Sequence, residues 1–240
     1  MTDAHSHLVR GETRHLLCEP FVGEVSRLAA ERDVVFYGTH PWYLDGFDAD
    51  ALRARLAANP QAGVGEIGLD RLKERNISLR MREIFEAQLR LAAEFRRPVV
   101  LHGAKCWGDV VHTIQRLFPS DRQPKHPNTP TTPTPPSFLF HGFSRSGGLL
   151  PDIVKLNGYV SIGPAILNDH AVNYRELAKA IPEDRLLVES DATAENDAEV
   201  PSVREIAAKL ADLRGLTAEA LEKVLERNAE AFLGVLNKHE

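Results

Sequence analysis

The sequence of 240 residues has only two cysteines, Cys18 and Cys106, and they stand far apart. A disulfide framework or a zinc knuckle needs closely spaced cysteines, so we expect neither, and the sequence fits a reducing compartment. No apolar run approaches the roughly 18 residues of a membrane-spanning helix. The opening stretch, MTDAHSHLVRGE, lacks the basic and apolar regions of a signal peptide. These absences predict a cytoplasmic protein that does not contact a membrane.

An excess of basic residues is also lacking. The 29 Lys and Arg residues face 34 Asp and Glu residues, which gives a formal net charge of −5. Proteins that coat DNA nonspecifically are normally basic, so this class is excluded, although a local basic strip is compatible with the balance. With 43% hydrophobic and 26% charged residues, the chain has enough apolar material for a substantial core. The sequence shows no sign of an obligate protein partner.

Short apolar runs alternate with helical patterns along the whole chain, which is typical of repeated β-α units. The runs show little polar alternation, as expected for parallel strands that are buried on both faces. Because single α/β barrels commonly have this length, we predict that residues 1–240 form one TIM-type (β/α) barrel domain. The eight predicted strands are Thr2–His5, His15–Cys18, Val34–Gly38, Gly63–Glu66, Val99–His102, Phe138–His141, Tyr159–Ile162 and Leu186–Glu189.

Two segments depart from this pattern. Only seven residues separate His7 from His15, too few for the helical crossover that usually joins parallel neighbours. This interval predicts a reduced first βα unit and argues against His15–Cys18 as a regular barrel strand. Residues 119–137 are rich in proline and threonine, and we interpret them as an extended or disordered loop. The loop precedes a strand, so in a barrel it would lie on the face opposite the chemistry.

Capping residues mark the longer predicted helices. Ser78 begins one that ends near Pro98, because proline disfavours a helical residue before it. Ser202 and Glu205 form a capping-box pattern for a helix that ends near Gly215, and Thr217 caps the last helix. Shorter helices are predicted around Phe21–Glu31, Asp50–Asn59, Trp107–Phe118, Gly148–Asn157 and His170–Ile181.

Histidine and acidic residues lie at the carboxyl ends of the predicted strands, where β/α barrels form their active sites. His5 and His7 alternate, so strand geometry directs both side chains to one face. Five strands that agree in this way predict a metal site. The candidate ligands are His5, His7, Glu66, His102, His141 and Asp191, with His40 on the same rim.

These six ligands exceed the usual protein set of one catalytic zinc ion, which suggests two ions. Glu66 is the central candidate to bridge them, because a carboxylate offers two oxygens. Four imidazoles favour zinc, manganese, iron or nickel, and magnesium is an alternative. Two divalent ions roughly 3.5–4 Å apart activate water and stabilise the oxygens of an in-line displacement. The site therefore predicts hydrolysis.

The blocks DAHSHL, GTHPWY, GEIGLDR, FEAQLRLAAEFRRPVVLH, FHGFS, LLVESD and NAEAFLG occur in the order found in TatD-type metal-dependent hydrolases. The sequence resembles this family over nearly its whole length. The resemblance implies a TIM-type barrel with one or two divalent metals and deoxyribonuclease activity, often from a 3′ end. It implies that one ion is held by His5, His7, Glu66 and Asp191, and the other by Glu66, His102 and His141. Asp191 and Glu66 are then the catalytic carboxylates, with Asp191 as general base, and His40 faces the substrate phosphate.

The substrate contacts are less regular. Where many members carry HSRDA, this chain has HGAKCW, so Lys105 is predicted to replace a phosphate-binding arginine as a point charge. The segment RLKERNISLRMR, which begins at Arg71, predicts a local phosphate funnel, and a solvated helix entrance is the alternative. Trp107 either stacks on a base or packs at a helix start. Cys106 is expected to be unreactive. Asp3 and Glu189 are expected to orient ligands.

We therefore predict a phosphodiesterase, most simply a deoxyribonuclease, that uses metal-activated water on DNA or another phosphodiester. Two alternatives stay open. The same metal site would serve the hydrolysis of an ester or amide, such as an aminoacyl-tRNA or a small metabolite, because activated water also attacks carbonyl carbon. The second alternative is a non-catalytic protein that retains a structural metal.

Overall fold

The computed structural model describes residues 1–19, 29–119, 135–144, 147–234 and 236. Its centre is a sheet of eight strands, whose order follows the chain and whose neighbours are all parallel. All eight predicted strands are present, and the predicted TIM-type barrel is confirmed. The strands are β1 (Thr2–Ser6), β2 (Arg14–Glu19), β3 (Val34–Tyr37), β4 (Gly63–Asp70), β5 (Val99–Ala104), β6 (Phe138–Phe140), β7 (Gly158–Ile162) and β8 (Leu186–Val188).

The two edges of the sheet meet where β1 lies beside the residues that follow β8. The Asp191 N–H donates to the His5 carbonyl at 3.1 Å, and the His7 N–H donates to the Ala192 carbonyl at 2.8 Å. Below them, Ser190 donates to the buried Asp3 carboxylate from its backbone N–H at 2.9 Å and from its hydroxyl at 2.6 Å. These bonds nearly close the sheet into a barrel.

Strand β2, which follows the short first connection, differs from our expectation. Strand β2 pairs in parallel with β1 on one side and β3 on the other, so the argument against His15–Cys18 as a barrel strand was wrong. Residues 7–13 form turns and contain no helix. A five-residue strand is about 17 Å long, and seven residues reach up to about 24 Å. The loop therefore returns to the start of the barrel without a helix.

The helices lie outside the sheet, and the predicted caps are confirmed. The Ser78 hydroxyl accepts from the Met81 N–H at 3.2 Å, and Ser202 and Glu205 form a reciprocal capping box. Gly215 ends a helix in the left-handed conformation, with a φ of 66° that favours glycine. The helices are α1 (Ala49–Ala58), α2 (Leu79–Phe95), α3 (Trp107–Leu117), α4 (Leu150–Lys155), α5 (Val172–Ala180), α6 (Val203–Arg214) and α7 (Ala218–Leu233).

Four of the shorter predicted helices correspond to α1, α3, α4 and α5. The predicted helix Phe21–Glu31 and the proline-rich segment 119–137 lie mostly outside the described residues. Within the described part of the chain, each helix is too short or too polar to cross a membrane.

Alternate residues of the strands belong to two separate apolar layers. One set, including Val99 and Leu101 of β5, packs against the outer helices. The other set faces the barrel interior and packs against the end of α7. The Phe232 ring of α7 lies 6.1 Å from the Phe36 ring and 5.7 Å from the Tyr159 ring, measured between centroids. Because Thr2 at the start of β1 bonds to Glu226 of α7, this helix closes the amino end of the barrel. The carboxyl end is left open for a site.

Candidate metal centre

The inward-facing rows change from apolar to polar as the strands reach their carboxyl ends. Residues two apart share a face, so His102 follows the buried Val100, and His141 follows the buried Leu139. The polar side chains border a cavity of about 480 Å³. Among the residues that line it are His7, His40, Glu66, His102, His141 and Asp191.

Glu66 lies at the centre, and its two oxygens face different groups of side chains. Oε2 is 3.6 Å from His5 Nε2 and 3.5 Å from His7 Nε2. Oε1 is 2.6 Å from His102 Nδ1 and 2.5 Å from His141 Nε2. One carboxylate therefore lies between two clusters of ring nitrogens, which is the position predicted for a bridging residue.

Asp191 completes the first cluster from the loop after β8. Its φ of 53° is unusual for a non-glycine residue and turns the chain back toward β1. Oδ1 lies 3.4 Å from His5 Nε2 and 3.9 Å from His7 Nε2, and half of the side chain is exposed. Burial acts to raise the pKa of Asp191, but the adjacent His5 imidazole and the nearby His141 outweigh it, so the pKa lies below its ordinary value.

The first cluster fits a metal ion. His5 is fully buried, and neither ring nitrogen has a hydrogen-bond partner among the described residues. A buried nitrogen without a partner is costly, unless an ion satisfies it. Two ligands held about 2.1 Å from a tetrahedral ion are themselves about 3.4 Å apart. The spacings of 3.4–3.9 Å between the His5 or His7 nitrogens and the carboxylate oxygens agree with this value.

Hydrogen bonds on the outer side of the rings decide which nitrogen faces the centre. His7 Nδ1 lies 2.8 Å from the Cys18 carbonyl, so it carries the proton and leaves Nε2 free to ligate. His102 Nε2 lies 2.9 Å from Asp70 Oδ2, so it donates outward and leaves Nδ1 facing Glu66. His7 Nε2 and His102 Nδ1 are thus the ring atoms that face the two oxygens of Glu66.

The second cluster concentrates opposite charges around Glu66. Burial acts to raise the pKa of Glu66, but His141 and His102 outweigh it and hold the pKa well below its usual range. Burial acts to lower the pKa of His141, but Glu66 and Glu189 together hold it well above its usual range. Protonated imidazoles thus supply the positive charge beside Glu66 Oε1 here, and their nitrogens must lose these protons before they can ligate an ion.

His40 lies beside this second cluster. Its Nε2 is 3.4 Å from His102 Nδ1 and 3.7 Å from Glu66 Oε1, so its position is compatible with a ligand. However, its Nδ1 accepts the backbone N–H of Trp42 at 3.1 Å. The proton of the neutral ring must then sit on Nε2, which makes that atom a donor rather than a ligand.

Two further carboxylates, those of Glu189 and Asp70, lie on the outer side of the histidine rings. Glu189 accepts the Gly142 N–H at 2.7 Å and the Ser161 hydroxyl, and its Oε1 lies 3.7 Å from His141 Nδ1. Asp70 was missed by the sequence reasoning, although it lies on the same strand and face as Glu66, four residues later. Its signal was present in GEIGLD, because the strand continues past Glu66 to Asp70.

Two predicted substrate residues lie away from the cavity. The Arg71 guanidinium pairs with Asp109 at 2.9 Å, and Arg82 approaches the same carboxylate at 3.5 Å. Lys105 is exposed in a turn with a φ of 55°. Neither Arg71 nor Lys105 lines the cavity, and their roles stay predictions.

Trp107 packs at the start of α3, which is one of the two alternatives that the sequence left open. It is 3% exposed, and its ring lies 5.5 Å from the Phe140 ring and 5.4 Å from the Phe143 ring. A Cβ added at Gly103 would lie 2.3 Å from the Trp107 ring, so the indole packs directly on that glycine. The exposed aromatic residues of the cavity are Trp42 and Tyr43, which the sequence reasoning did not single out.

A model of the TatD related DNase family matches residues 20–234. The chain belongs to this family. It is thus a metal-dependent hydrolase of TatD type, which confirms the predicted family and enzyme class. Zinc, manganese or another divalent ion, and the number of ions bound, stay predictions.

Two relatives illustrate the range of the TatD related DNase family. The uncharacterized metal-dependent hydrolase YabD of Bacillus subtilis (strain 168) is 25% identical over 230 residues, which cover 90% of this chain and 84% of YabD. The 3′-5′ ssDNA/RNA exonuclease TatD of Citrobacter rodentium (strain ICC168) is 26% identical over 216 residues, which cover 84% of this chain and 77% of that protein.

Solved structures show the same fold. The TatD homologue YjjV of Escherichia coli K12 has a TM-score of 0.76 at 20% identity, with 97% of both chains covered. A hydrolase TatD family protein from Entamoeba histolytica has a TM-score of 0.73 at 12% identity, again with 97% of both chains covered.

Proposed function

We propose that this chain is a phosphodiesterase that uses two divalent ions to cleave single-stranded nucleic acid from its 3′ end. The observation that carries the proposal is the position of Glu66, whose two oxygens face separate clusters of ligands at the open end of the barrel. The Citrobacter rodentium relative is named as a 3′-5′ ssDNA/RNA exonuclease, which supports the choice of substrate.

The ligand assignment follows the two sides of Glu66. His5, His7 and Asp191 would hold one ion with Oε2, and His102 and His141 would hold the other with Oε1. When bound, two such ions supply a nucleophilic water at neutral pH and offset the charge that develops on the phosphate oxygens.

Asp191 is the general base in this proposal. Its lowered pKa keeps the carboxylate ionised at neutral pH, and half of the side chain is open to the cavity. A carboxylate oxygen of Asp191 accepts the proton of the attacking water, while His5 fixes the orientation of Oδ1.

His40 is the proposed phosphate contact. Burial lowers its pKa to about 4, so the ring is neutral near pH 7. Because Nδ1 accepts from the Trp42 backbone, Nε2 carries the proton and donates to an oxygen of the phosphate. A neutral donor at this position orients the phosphodiester without competing with the cations for Glu66.

The test is a substrate panel on protein of defined metal content, with chelated protein as the control. We expect mononucleotides to be released from a single-stranded oligonucleotide with a free 3′ end, and no release when that end is blocked. Hydrolysis of a carboxyl ester alone would favour the ester or amide hydrolase. Metal-loaded protein that hydrolyses neither ester would favour a non-catalytic metal-binding protein.

The Asp191→Asn variant distinguishes the role of Asp191 as general base from its contribution to metal binding. We expect turnover to fall by about 10²–10⁴-fold, the usual range for a general base, while metal content changes far less. Elemental analysis and a nuclease assay on the same preparation measure both quantities. Activity equal to that of the unmodified protein would remove Asp191 as the base.

A further inference from the structure

Two aromatic side chains stand at the mouth of the cavity, directly after His40 in the chain. Trp42 is 48% exposed and Tyr43 is 41% exposed, and both line the cavity. Large aromatic side chains usually bury most of their surface, so a half-exposed indole beside a reactive centre indicates a ligand contact.

The Trp42 ring is exposed but held in one orientation. Its indole N–H donates to Asp70 Oδ2 at 2.6 Å, and the His40 ring lies edge-on at 5.3 Å between centroids. Asp70 is itself fully buried and accepts the backbone N–H groups of Leu72 at 2.5 Å and Lys73 at 2.8 Å. An aromatic surface that is already oriented loses little conformational entropy when a ligand binds.

The charges of the residues that line the cavity determine which part of a nucleotide can add binding affinity. The described residues that line the cavity include no lysine or arginine, and of its acidic residues outside the metal centre Glu195 is exposed, whereas Glu19 is buried and paired with Arg55 at 2.8 Å. Beyond the reacting phosphate, such a surface offers little attraction to further phosphates. Further affinity for a nucleotide must therefore come from its uncharged parts, the sugar and the base, and only the base offers a flat face that can stack on an aromatic ring.

We propose that Trp42 is a stacking platform for the nucleobase next to the scissile phosphodiester, with Tyr43 beside it. The inference rests on the proposed function and names the part of the substrate that its site recognises. A phosphate at His40 Nε2 places the attached base against the neighbouring Trp42 ring. The cavity of about 480 Å³ is within the usual range for small-ligand sites. Stacking tolerates any base, so this platform does not select a sequence.

The first experiment measures binding without hydrolysis. The chain has two tryptophans, and Trp107 is buried, so a ligand in the cavity reports through Trp42. We expect thymidine 5′-monophosphate to quench the indole emission and 2-deoxyribose 5-phosphate, which lacks the base, to leave it unchanged. The quenching should disappear in Trp42→Phe. Equal quenching by both probes, no quenching by either, or quenching that persists in Trp42→Phe overturns the proposal.

The second experiment measures the preference for a base during hydrolysis. Oligonucleotides that end in a normal or an abasic 3′ nucleotide are compared by their kcat/KM. We expect the normal end to be preferred on the order of tenfold to a hundredfold, as base stacking gives. Trp42→Leu should bring this ratio close to one, and Trp42→Phe, which keeps a ring, should retain most of it. Val172→Ala, at an exposed apolar residue outside the cavity, is the matched control.

The two experiments separate this proposal from the proposed function. Quenching by thymidine 5′-monophosphate without cleavage of any phosphodiester would leave the platform in place and refute the phosphodiesterase. Cleavage of normal and abasic ends at equal rates would support the phosphodiesterase and refute the platform. A loss in Trp42→Leu that is equal for both ends would show a structural role for Trp42, which also contradicts the platform.

Discussion

At the amino end of the barrel, the inward positions of the strands carry Phe36, Leu139 and Leu187, which belong to one apolar cluster with the end of α7. At the carboxyl end, the same rows of inward positions carry His141 and Glu189. His141 lines the cavity, and Glu189 lies beside His141 Nδ1. The same strands thus supply a closed apolar end and an open polar end, separated by one step of the side-chain alternation.

The difference between the two ends teaches how the fold divides its tasks. Burying apolar side chains contributes about 25 cal/mol per Å² to folding, whereas buried imidazoles and carboxylates oppose folding unless they are paired or bind ions. The apolar end therefore stabilises a site whose own groups are arranged for chemistry. Substitutions at the two ends should affect different measurable quantities.

Glu66→Gln should have the largest effect on the polar end. An amide keeps the shape of the side chain but offers one neutral oxygen in place of two anionic ones, so at most one cluster keeps an oxygen ligand from this residue and the bridge is lost. We expect hydrolysis to fall by at least about 10³-fold, more than the 10–100-fold typical of residues that only support ligands. Elemental analysis should show lower metal content, and the exposed Glu83→Gln on α2 is the control. Unchanged metal content in Glu66→Gln would refute the bridging role.

Phe232→Ala is the corresponding change at the apolar end. Removing a buried phenyl ring that contacts Phe36 and Tyr159 leaves a cavity, which typically costs about 3–5 kcal/mol of unfolding free energy. We expect urea denaturation to show this loss, while the metal affinity of the folded protein stays the same. Val172→Ala, at an exposed position, should change stability by less than about 0.5 kcal/mol. A variant that keeps its stability but loses metal would contradict the division between the two ends.

The barrel and the grouping of the candidate ligands could be predicted from the sequence because both depend on short-range patterns. Apolar runs of four to eight residues identify buried strands, and the polar residue that ends each run identifies the open end of the barrel. Glu66 and His141 could be placed in one site without coordinates, because all carboxyl ends of a parallel barrel meet on one face.

The remaining features depend on contacts between distant segments. Arg71 was expected to bind phosphate, but its guanidinium pairs with Asp109, 38 residues later in the chain. Trp107 and Trp42 both follow a predicted strand, and only the packing of Trp107 on Phe140 distinguishes the buried indole from the exposed one. Asp70 was missed because the strand was expected to end at its first charged residue, Glu66. The hydrophobic periodicity of the sequence reports neither contacts between distant segments nor the exact end of a strand.

Asp70→Asn tests how the polar end holds its ligands. Asp70 Oδ2 lies within hydrogen-bond distance of both the Trp42 indole N–H and His102 Nε2, and an asparagine that keeps its oxygen at the Oδ1 position for the backbone N–H groups of Leu72 and Lys73 presents its NH₂ group to both. His102 then loses the acceptor that directs Nδ1 inward. We expect metal affinity, measured by competition with a chelator, to fall by about 10–100-fold. Asp109→Asn breaks an ion pair outside the cavity and should change affinity by less than about twofold. Equal affinities in both variants would show that Asp70 does not position His102.

The smallest effect is expected for the reactivity of the two cysteine thiols. Cys18 lies where the apolar end and the polar end of the barrel meet. It belongs to the interior apolar cluster, lines the cavity, and offers its carbonyl to His7. Burial raises the pKa of the Cys18 thiol well above its usual range and raises the pKa of Cys106 to about 12, so neither forms a thiolate at neutral pH. We expect native protein to show no fast reaction with a disulfide reagent and unfolded protein to titrate two thiols. Fast labelling of Cys18 in the native state would mean that the cavity opens into the apolar interior, which would contradict the separation of the two ends.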